Sequence, residues 1–159
     1  MGSEICRKIK RSCGEIKLSS GILIKEIILD APQSKVWDAL TEKSKMKEWY
    51  FDLEEFKPEV GFEFRFYAGK DECSQYLHIC VITEVIPERK LVYSWQYDGD
   101  PGMSYVSWEL FPEGDKTRLV LTHTGLDTFD KTNPDLAVGN FDEGWSYFVN
   151  KALKEFVEK

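Results

Sequence analysis

The two histidines of this chain, His78 and His123, are the side chains best suited to acid–base chemistry near neutral pH. His123 lies in the stretch RLVLTHTGL, where strand alternation places Leu119, Leu121 and His123 on one largely apolar face. An imidazole on such a face could serve as a general base, because its unperturbed pKa is about 6.5. It could equally orient a carbonyl or hydroxyl group of a ligand, or be a neutral histidine that is hydrogen-bonded within the core. The pattern leaves these three roles open.

No motif of a known reaction centre accompanies the histidines. The sequence lacks G-x-S-x-G, the dinucleotide-binding G-x-G-x-x-G and the Walker loop. Its four cysteines, Cys6, Cys13, Cys73 and Cys80, form no C-x-x-C pair, and their spacing is not typical of a zinc site. We therefore expect no metal and no cofactor, and His123 is the only candidate for a catalytic residue.

Charge is distributed unevenly along the chain. The formal net charge is −7, yet residues 1–20 hold five basic and two acidic side chains, so the remainder carries −10. Nucleic-acid binding needs clustered lysines and arginines facing phosphates, so this acidic remainder argues against a nucleic-acid partner. We expect residues 1–20 to form a basic, flexible N-terminal arm and residues 21–159 to form one domain.

Hydrophobic periodicity divides residues 21–159 into strands and helices. It predicts a strand over 22–29, followed by two short helices over 32–41 and 44–49. Six further strands are predicted between turn signals, over 52–56, 62–68, 75–86, 90–97, 103–111 and 117–125. Asn140 and Glu143 form a capping-box signature, which predicts that a long amphipathic helix begins there. This order predicts an α+β fold, a curved seven-stranded antiparallel sheet packed against a C-terminal helix.

Strand and helix periodicity direct a set of mostly aromatic side chains into the space between sheet and helix. The set is Phe64, Phe66, Trp95, Trp108, Leu121, His123, Trp145 and Phe148. A mostly apolar concavity with few polar groups is typical of a small-molecule pocket, whereas a solid aromatic core would use the same residues. The strand that carries His78 is apolar on both faces, so its orientation stays open.

Gly144 lies one turn inside the predicted C-terminal helix, where glycine costs about 1 kcal/mol relative to alanine. Three interpretations fit its position: close approach to a strand, open volume beside Trp145, or a later start of the helix. Only the second of these connects the residue with a pocket.

Several segments form a family pattern through their order along the chain: VWDALT, LVYSW, TRLVLTH and GW. Together, from about residue 22 to residue 158, they resemble the SRPBCC, or START-like, superfamily. More narrowly, the chain is similar to the bacterial group related to the C-terminal domain of the activator of heat-shock protein 90 ATPase.

The resemblance implies a helix-grip fold of the START and birch-pollen-allergen type, in which the sheet holds the C-terminal helix over a cavity. It also implies binding of an apolar or amphipathic small molecule, with Trp49, Trp95, Trp108, His123 and Trp145 in or near the cavity. A co-chaperone or interaction protein of the heat-shock protein 90 activator type is the alternative. An enzyme of the cyclase or hydrolase kind that uses His123 is a third expectation.

The remaining expectations concern location and partners. No apolar run approaches about 18 residues and no apolar signal segment opens the chain, so we expect a cytoplasmic protein with free thiols and no membrane span. Homodimerisation stays open. Contact with a chaperone is a weaker expectation, because a further N-terminal domain makes that contact in the eukaryotic co-chaperone.

Overall fold

The computed structural model describes residues 21–69, 73 and 75–159, so the predicted N-terminal arm over 1–20 lies outside the described residues. The strands are β1 (Leu23–Leu29), β2 (Glu63–Gly69), β3 (Gln75–Ile86), β4 (Lys90–Tyr97), β5 (Ser104–Glu113) and β6 (Lys116–Thr124). The helices are α1 (Gln33–Thr41), α2 (Lys43–Trp49), α3 (Val138–Tyr147) and α4 (Lys154–Val157). A π-helical segment, Phe148–Leu153, joins α3 to α4, and two 3-10 turns, Leu126–Thr128 and Pro134–Leu136, precede α3.

The strands form an antiparallel sheet in the order β1-β6-β5-β4-β3-β2. Strands β2 to β6 follow one another as a meander, because short turns connect antiparallel neighbours. β1 lies on the far edge beside β6, with Leu23 opposite His123 and Leu29 opposite Thr117. The first and the last strand of the chain are thus neighbours in the sheet. The two short helices lie between β1 and β2 in sequence.

The predicted strand over 52–56 does not form, and the described sheet has six strands rather than seven. Its two apolar residues, Leu53 and Phe56, are both buried although they lie three positions apart. An alternating strand would point them to opposite faces, so both can reach the core only from irregular backbone. Pro58 follows and has no backbone N–H for strand pairing. Apart from this strand, the α+β helix-grip architecture is confirmed.

One continuous C-terminal helix, residues 138–157, comprises α3, the π-helical segment and α4. It begins at Val138, with Ala137 as N-cap, so the predicted N-cap at Asn140 is wrong by three residues. The Asn140 side chain does not cap the helix but donates a hydrogen bond from Nδ2 to the carbonyl oxygen of Pro134, at 2.7 Å. The helix buries Val149, Leu153 and Val157 in the core.

A buried ion pair joins the first strand to this helix. Lys25 points to the inner face of β1 because it alternates with the outward-facing Ile24 and Glu26. Its Nζ lies 2.5 Å from Oδ1 of Asp142 on α3, and the two side chains are 15% and 6% exposed. Because both charges are largely removed from water, each depends on the other for compensation.

Candidate functional site

A cavity of about 460 Å³ opens between the sheet and the C-terminal helix. Aromatic side chains make most of its wall: Phe51, Tyr76, Trp95, Tyr97, Phe141, Trp145 and Phe148, with the ring of His78. Asp135, Asn140 and Glu143 supply polar groups at its lining, and Gly144 leaves a gap among the rings. Volumes of roughly 300–1,000 Å³, with apolar walls and a few polar groups, are typical of small-molecule sites.

The rings of the wall support one another through edge contacts. The centroids of Trp95 and Trp145 lie 5.6 Å apart, and those of Phe51 and Phe148 lie 5.2 Å apart. His78 is packed edge-on against Trp95 at 5.0 Å. Edge-to-face and tilted packing at these distances is favourable for aromatic pairs, so the wall is held in shape without a ligand.

Gly144 provides open volume, the second of the three interpretations of its position. A Cβ atom built on it would meet no heavy atom within 4 Å outside its own helical neighbourhood, and the residue lines the cavity. It lies well inside α3, which begins at Val138, so it does not mark a late helix start. The helix therefore accepts the cost of an internal glycine, about 1 kcal/mol, at a point where a side chain would project into the cavity.

The helix changes geometry beside the same cavity. The π-helical segment starts at Phe148, whose ring lines the wall, and runs to Leu153. In this segment the hydrogen bonds run to the fifth residue along the chain, which widens the helix and redirects the side chains that follow. Such segments occur frequently at functional sites. Phe148 lines the cavity, while Val149 and Leu153 of the same segment are buried in the core.

His123 does not line the cavity; it is fully buried behind Trp95 and Trp145. The indole Nε1 of Trp145 donates to His123 Nδ1 at 3.0 Å, so Nδ1 carries the lone pair and Nε2 the proton. Nε2 then donates to Ser104 Oγ at 2.8 Å, and Ser104 donates to the carbonyl oxygen of Trp95 at 2.8 Å. Burial lowers the pKa of His123 to about 3. Both nitrogens of the neutral imidazole are therefore hydrogen-bonded, and these bonds connect the wall residues Trp145 and Trp95 through His123 and Ser104.

Three of the nine predicted ligand-binding residues line the cavity: Trp95, Trp145 and Phe148. The other six, Trp49, Phe64, Phe66, Trp108, Leu121 and His123, are buried in the packing around it. Phe66 lies directly behind the wall, stacked on Phe51 at 4.0 Å and on His78 at 4.5 Å. The pocket and the aromatic core are thus both present, as adjacent parts of one cluster.

The sequence interpretation missed several wall residues. His78 points inward, because it pairs with Phe66 on β2 and Tyr97 on β4, whose side chains face the same way. Tyr97 could have been found, since it lies two residues after Trp95 on the same strand face. Phe51 follows α2 in irregular chain and carries no periodic signal.

The rings of the wall are uncharged, and the acidic side chains of the lining lie at its rim, near the C-terminal helix. Burial lowers the pKa of His78 to about 4, although hydrogen bonds to the backbone of Tyr76 and Phe66 oppose that shift. Nδ1 of His78 donates to the carbonyl oxygen of Tyr76 at 2.9 Å. The Tyr76 hydroxyl donates to Oδ2 of Asp135 at 2.7 Å. The cavity therefore presents neutral rings inside and carboxylates, from Asp135 and Glu143, at its rim.

The remaining observations concern metal ligands, the buried thiol and membrane-spanning helices. No group of three or more histidine, cysteine, aspartate or glutamate side chains there could hold a metal ion. Cys80 is buried, and burial raises the pKa of its thiol well above the usual value, so it remains protonated. No helix within the described ranges is long and apolar enough to cross a membrane.

The chain is similar to one protein family and to several solved structures. Residues 30–158 match the family described as activator of Hsp90 ATPase homolog 1-like protein. Among solved structures, protein MLL2253 from Mesorhizobium loti is 27% identical with a TM-score of 0.69, over 85% of this chain and 95% of that one. CalU16 from Micromonospora echinospora is 26% identical with a TM-score of 0.66, over 86% and 75%.

A more distant structural likeness concerns the fold alone. The Aha1 dimer from Colwellia psychrerythraea is 21% identical with a TM-score of 0.64, over 86% of this chain and 96% of that one. The comparison with curated proteins returned no match.

Proposed function

The chain belongs to the family of activator of Hsp90 ATPase homolog 1-like proteins, and on that premise we propose that it binds an apolar or amphipathic small molecule in the cavity. The observation that carries the proposal is the cavity itself, about 460 Å³ of space walled by aromatic rings beneath a helix that carries Gly144 at the gap. A fully packed core would fill this space, because protein interiors are packed as densely as organic crystals.

Rigid walls favour binding, because a preorganised site loses little conformational entropy when a ligand enters. The hydrogen bonds from Trp145 to His123 and from Trp95 to the Tyr97 hydroxyl fix the two indole rings. We assign direct ligand contact to Trp95, Trp145 and Phe148. The other six predicted residues act through packing, and His123 through its hydrogen bond to Trp145.

Binding rather than catalysis is the proposal. A general base needs a lone pair within reach of the substrate, and both nitrogens of His123 are engaged with protein partners.

A second candidate is an interaction role of the co-chaperone type, which the description of the family favours. Cytoplasmic location and homodimerisation belong to this proposal as well; the dimer of the Aha1 neighbour supports the latter. Sedimentation velocity and pull-down with a heat-shock protein 90 homologue would test the interaction role.

Replacing Gly144 by leucine is expected to block the cavity without harming the fold. The added side chain would project into open space and the helix would lose an internal glycine, so stability should rise by about 1 kcal/mol. We expect affinity for N-phenyl-1-naphthylamine, an uncharged probe whose fluorescence rises in apolar surroundings, to fall at least about tenfold. Fluorescence titration measures the affinity and urea unfolding measures the stability.

Gly144→Ala is the matched control, because it gives the same gain in helix propensity with a side chain of one carbon. The alanine variant should bind the probe more tightly than the leucine variant. Equal affinities in the wild type and the leucine variant would show that the probe binds elsewhere. No fluorescence change in the wild type would remove the proposal for ligands of this kind.

A further inference from the structure

Tyr97 carries a buried hydroxyl with an unused donor. The residue lines the cavity and is only 6% exposed. Its oxygen accepts a hydrogen bond from Nε1 of Trp95 at 2.9 Å. The hydroxyl itself donates to no residue in the part of the chain that the structure describes. Burial raises the pKa of Tyr97 well above its usual value, so the hydroxyl keeps its hydrogen.

This donor differs from the other tyrosine hydroxyl of the cavity wall. Tyr76 donates to Oδ2 of Asp135, so its hydrogen is already used. A buried donor without an acceptor is unfavourable in proteins, and most such groups find a protein, water or ligand partner. The bond from Trp95 also fixes the position of the Tyr97 oxygen, so the donor has a defined place in the wall.

The rim constrains the charge of a ligand. Glu143 brings a carboxylate to the cavity lining, and none of the lining residues that the structure describes is a lysine or an arginine. An anionic group placed beside Glu143 would face a like charge. A hydrogen-bond acceptor that is itself uncharged, such as a ketone, aldehyde, ester or amide oxygen, avoids this cost.

We propose that the Tyr97 hydroxyl donates a hydrogen bond to a carbonyl-type oxygen of an uncharged, largely apolar ligand. This assignment rests on the proposed function, because it concerns the same cavity. It names the ligand class as neutral carbonyl compounds with an apolar ring system, and the Glu143 carboxylate disfavours apolar anions. Tyr97 is then the residue that orients the ligand, while Trp95, Trp145 and Phe148 supply the apolar contacts.

A matched pair of ligands tests the donor. 2-Acetylnaphthalene and 2-ethylnaphthalene differ by a carbonyl oxygen in place of two hydrogens, and each can compete with bound N-phenyl-1-naphthylamine. The ratio of their dissociation constants should shift about 3- to 10-fold against the ketone in Tyr97→Phe, as expected for loss of one neutral hydrogen bond. Tyr105→Phe is the control variant and should keep the wild-type ratio, since Tyr105 is exposed and does not line the cavity.

A spectroscopic readout avoids dependence on the variant's stability. The carbonyl stretch of 2-acetylnaphthalene bound to the wild-type protein should lie at lower wavenumber than in hexane, because a hydrogen bond weakens the C=O bond. A stretch at the hexane position, or a ligand ratio unchanged in Tyr97→Phe, would overturn the donor role. The proposed function would survive that result, because the hydrocarbon would still bind.

A second ligand pair tests the charge of the rim. 8-Anilinonaphthalene-1-sulfonate is N-phenyl-1-naphthylamine with one added sulfonate, and we expect it to bind about tenfold more weakly. Glu143→Gln should narrow this difference, because it removes a rim carboxylate. Equal or tighter binding of the sulfonate would overturn the requirement for an uncharged ligand. Failure of both probes to bind would instead count against the proposed function itself.

Discussion

Replacing Asp142 by alanine is expected to lower the free energy of unfolding by about 3–5 kcal/mol, the range measured when one partner of a buried ion pair is removed. Asp142 Oδ1 lies 2.5 Å from Nζ of Lys25, and both side chains are largely buried. The substitution leaves the ammonium group of Lys25 in a low-dielectric space without its counter-charge. Because the pair joins β1 to α3, the loss should also loosen the helix that covers the cavity. Urea unfolding followed by tryptophan fluorescence measures the change.

Two controls separate the buried charge from other effects. The double variant Lys25→Met/Asp142→Leu removes both charges and should recover most of the lost stability, since apolar replacements of buried pairs are often neutral. Glu155→Ala breaks the exposed Lys151–Glu155 pair, whose atoms lie 3.1 Å apart, and should cost less than about 1 kcal/mol. Similar losses for Asp142→Ala and Glu155→Ala would mean that burial of the first pair has no energetic consequence.

Acidification from pH 7 to pH 4 is expected to destabilise the protein by several kcal/mol through its two buried histidines. Burial lowers the pKa of His78 to about 4 and that of His123 to about 3, whereas both should titrate near 6.5 when unfolded. Between these values the unfolded chain binds protons that the folded chain does not, so the free energy of unfolding falls as pH falls. Each histidine contributes about 1.4 kcal/mol per pH unit within its window.

Urea titrations at pH 7, 6, 5 and 4 measure this dependence. His123→Gln removes one of the two titrating groups. Between pH 6 and pH 4 it should reduce the change in the free energy of unfolding by about 1.4 kcal/mol per pH unit, which is half of what the two histidines contribute together. His78→Gln should do the same down to about pH 4, where the folded-state pKa of His78 lies. A slope that is identical in the wild type and both variants would contradict neutral, buried histidines.

Periodicity predicted which face of the sheet a side chain points to, but not whether that side chain reaches the cavity. It placed Trp95, Trp108 and Leu121 on the inner face, and all three are buried there. Only Trp95, near the end of β4, reaches the cavity, whereas Trp108 and Leu121 lie farther inside β5 and β6. Alternation repeats every two residues and so cannot report where the helix crosses the sheet.

The role of His123 depended on partners that are distant in sequence. Its nitrogens bond to Ser104 and Trp145, which lie 19 and 22 residues away. Neither contact could be read from the strand that holds the histidine. The same limit applied to His78, whose orientation follows from its register with Phe66 and Tyr97 on two neighbouring strands. The local sequence pattern identifies such histidines as candidates, whereas contacts between distant segments determine their orientation and hydrogen bonds.

A crystal structure of the protein with bound N-phenyl-1-naphthylamine tests the central claim most directly. The account predicts the naphthalene ring in the cavity, in contact with Trp95, Trp145 and Phe148 and beneath Gly144. The hydrogen bond between Trp145 and His123 should persist in the complex, because it belongs to the wall rather than to the ligand. Density for the probe on the outer face of the sheet, with the cavity collapsed or filled by side chains, would contradict the account.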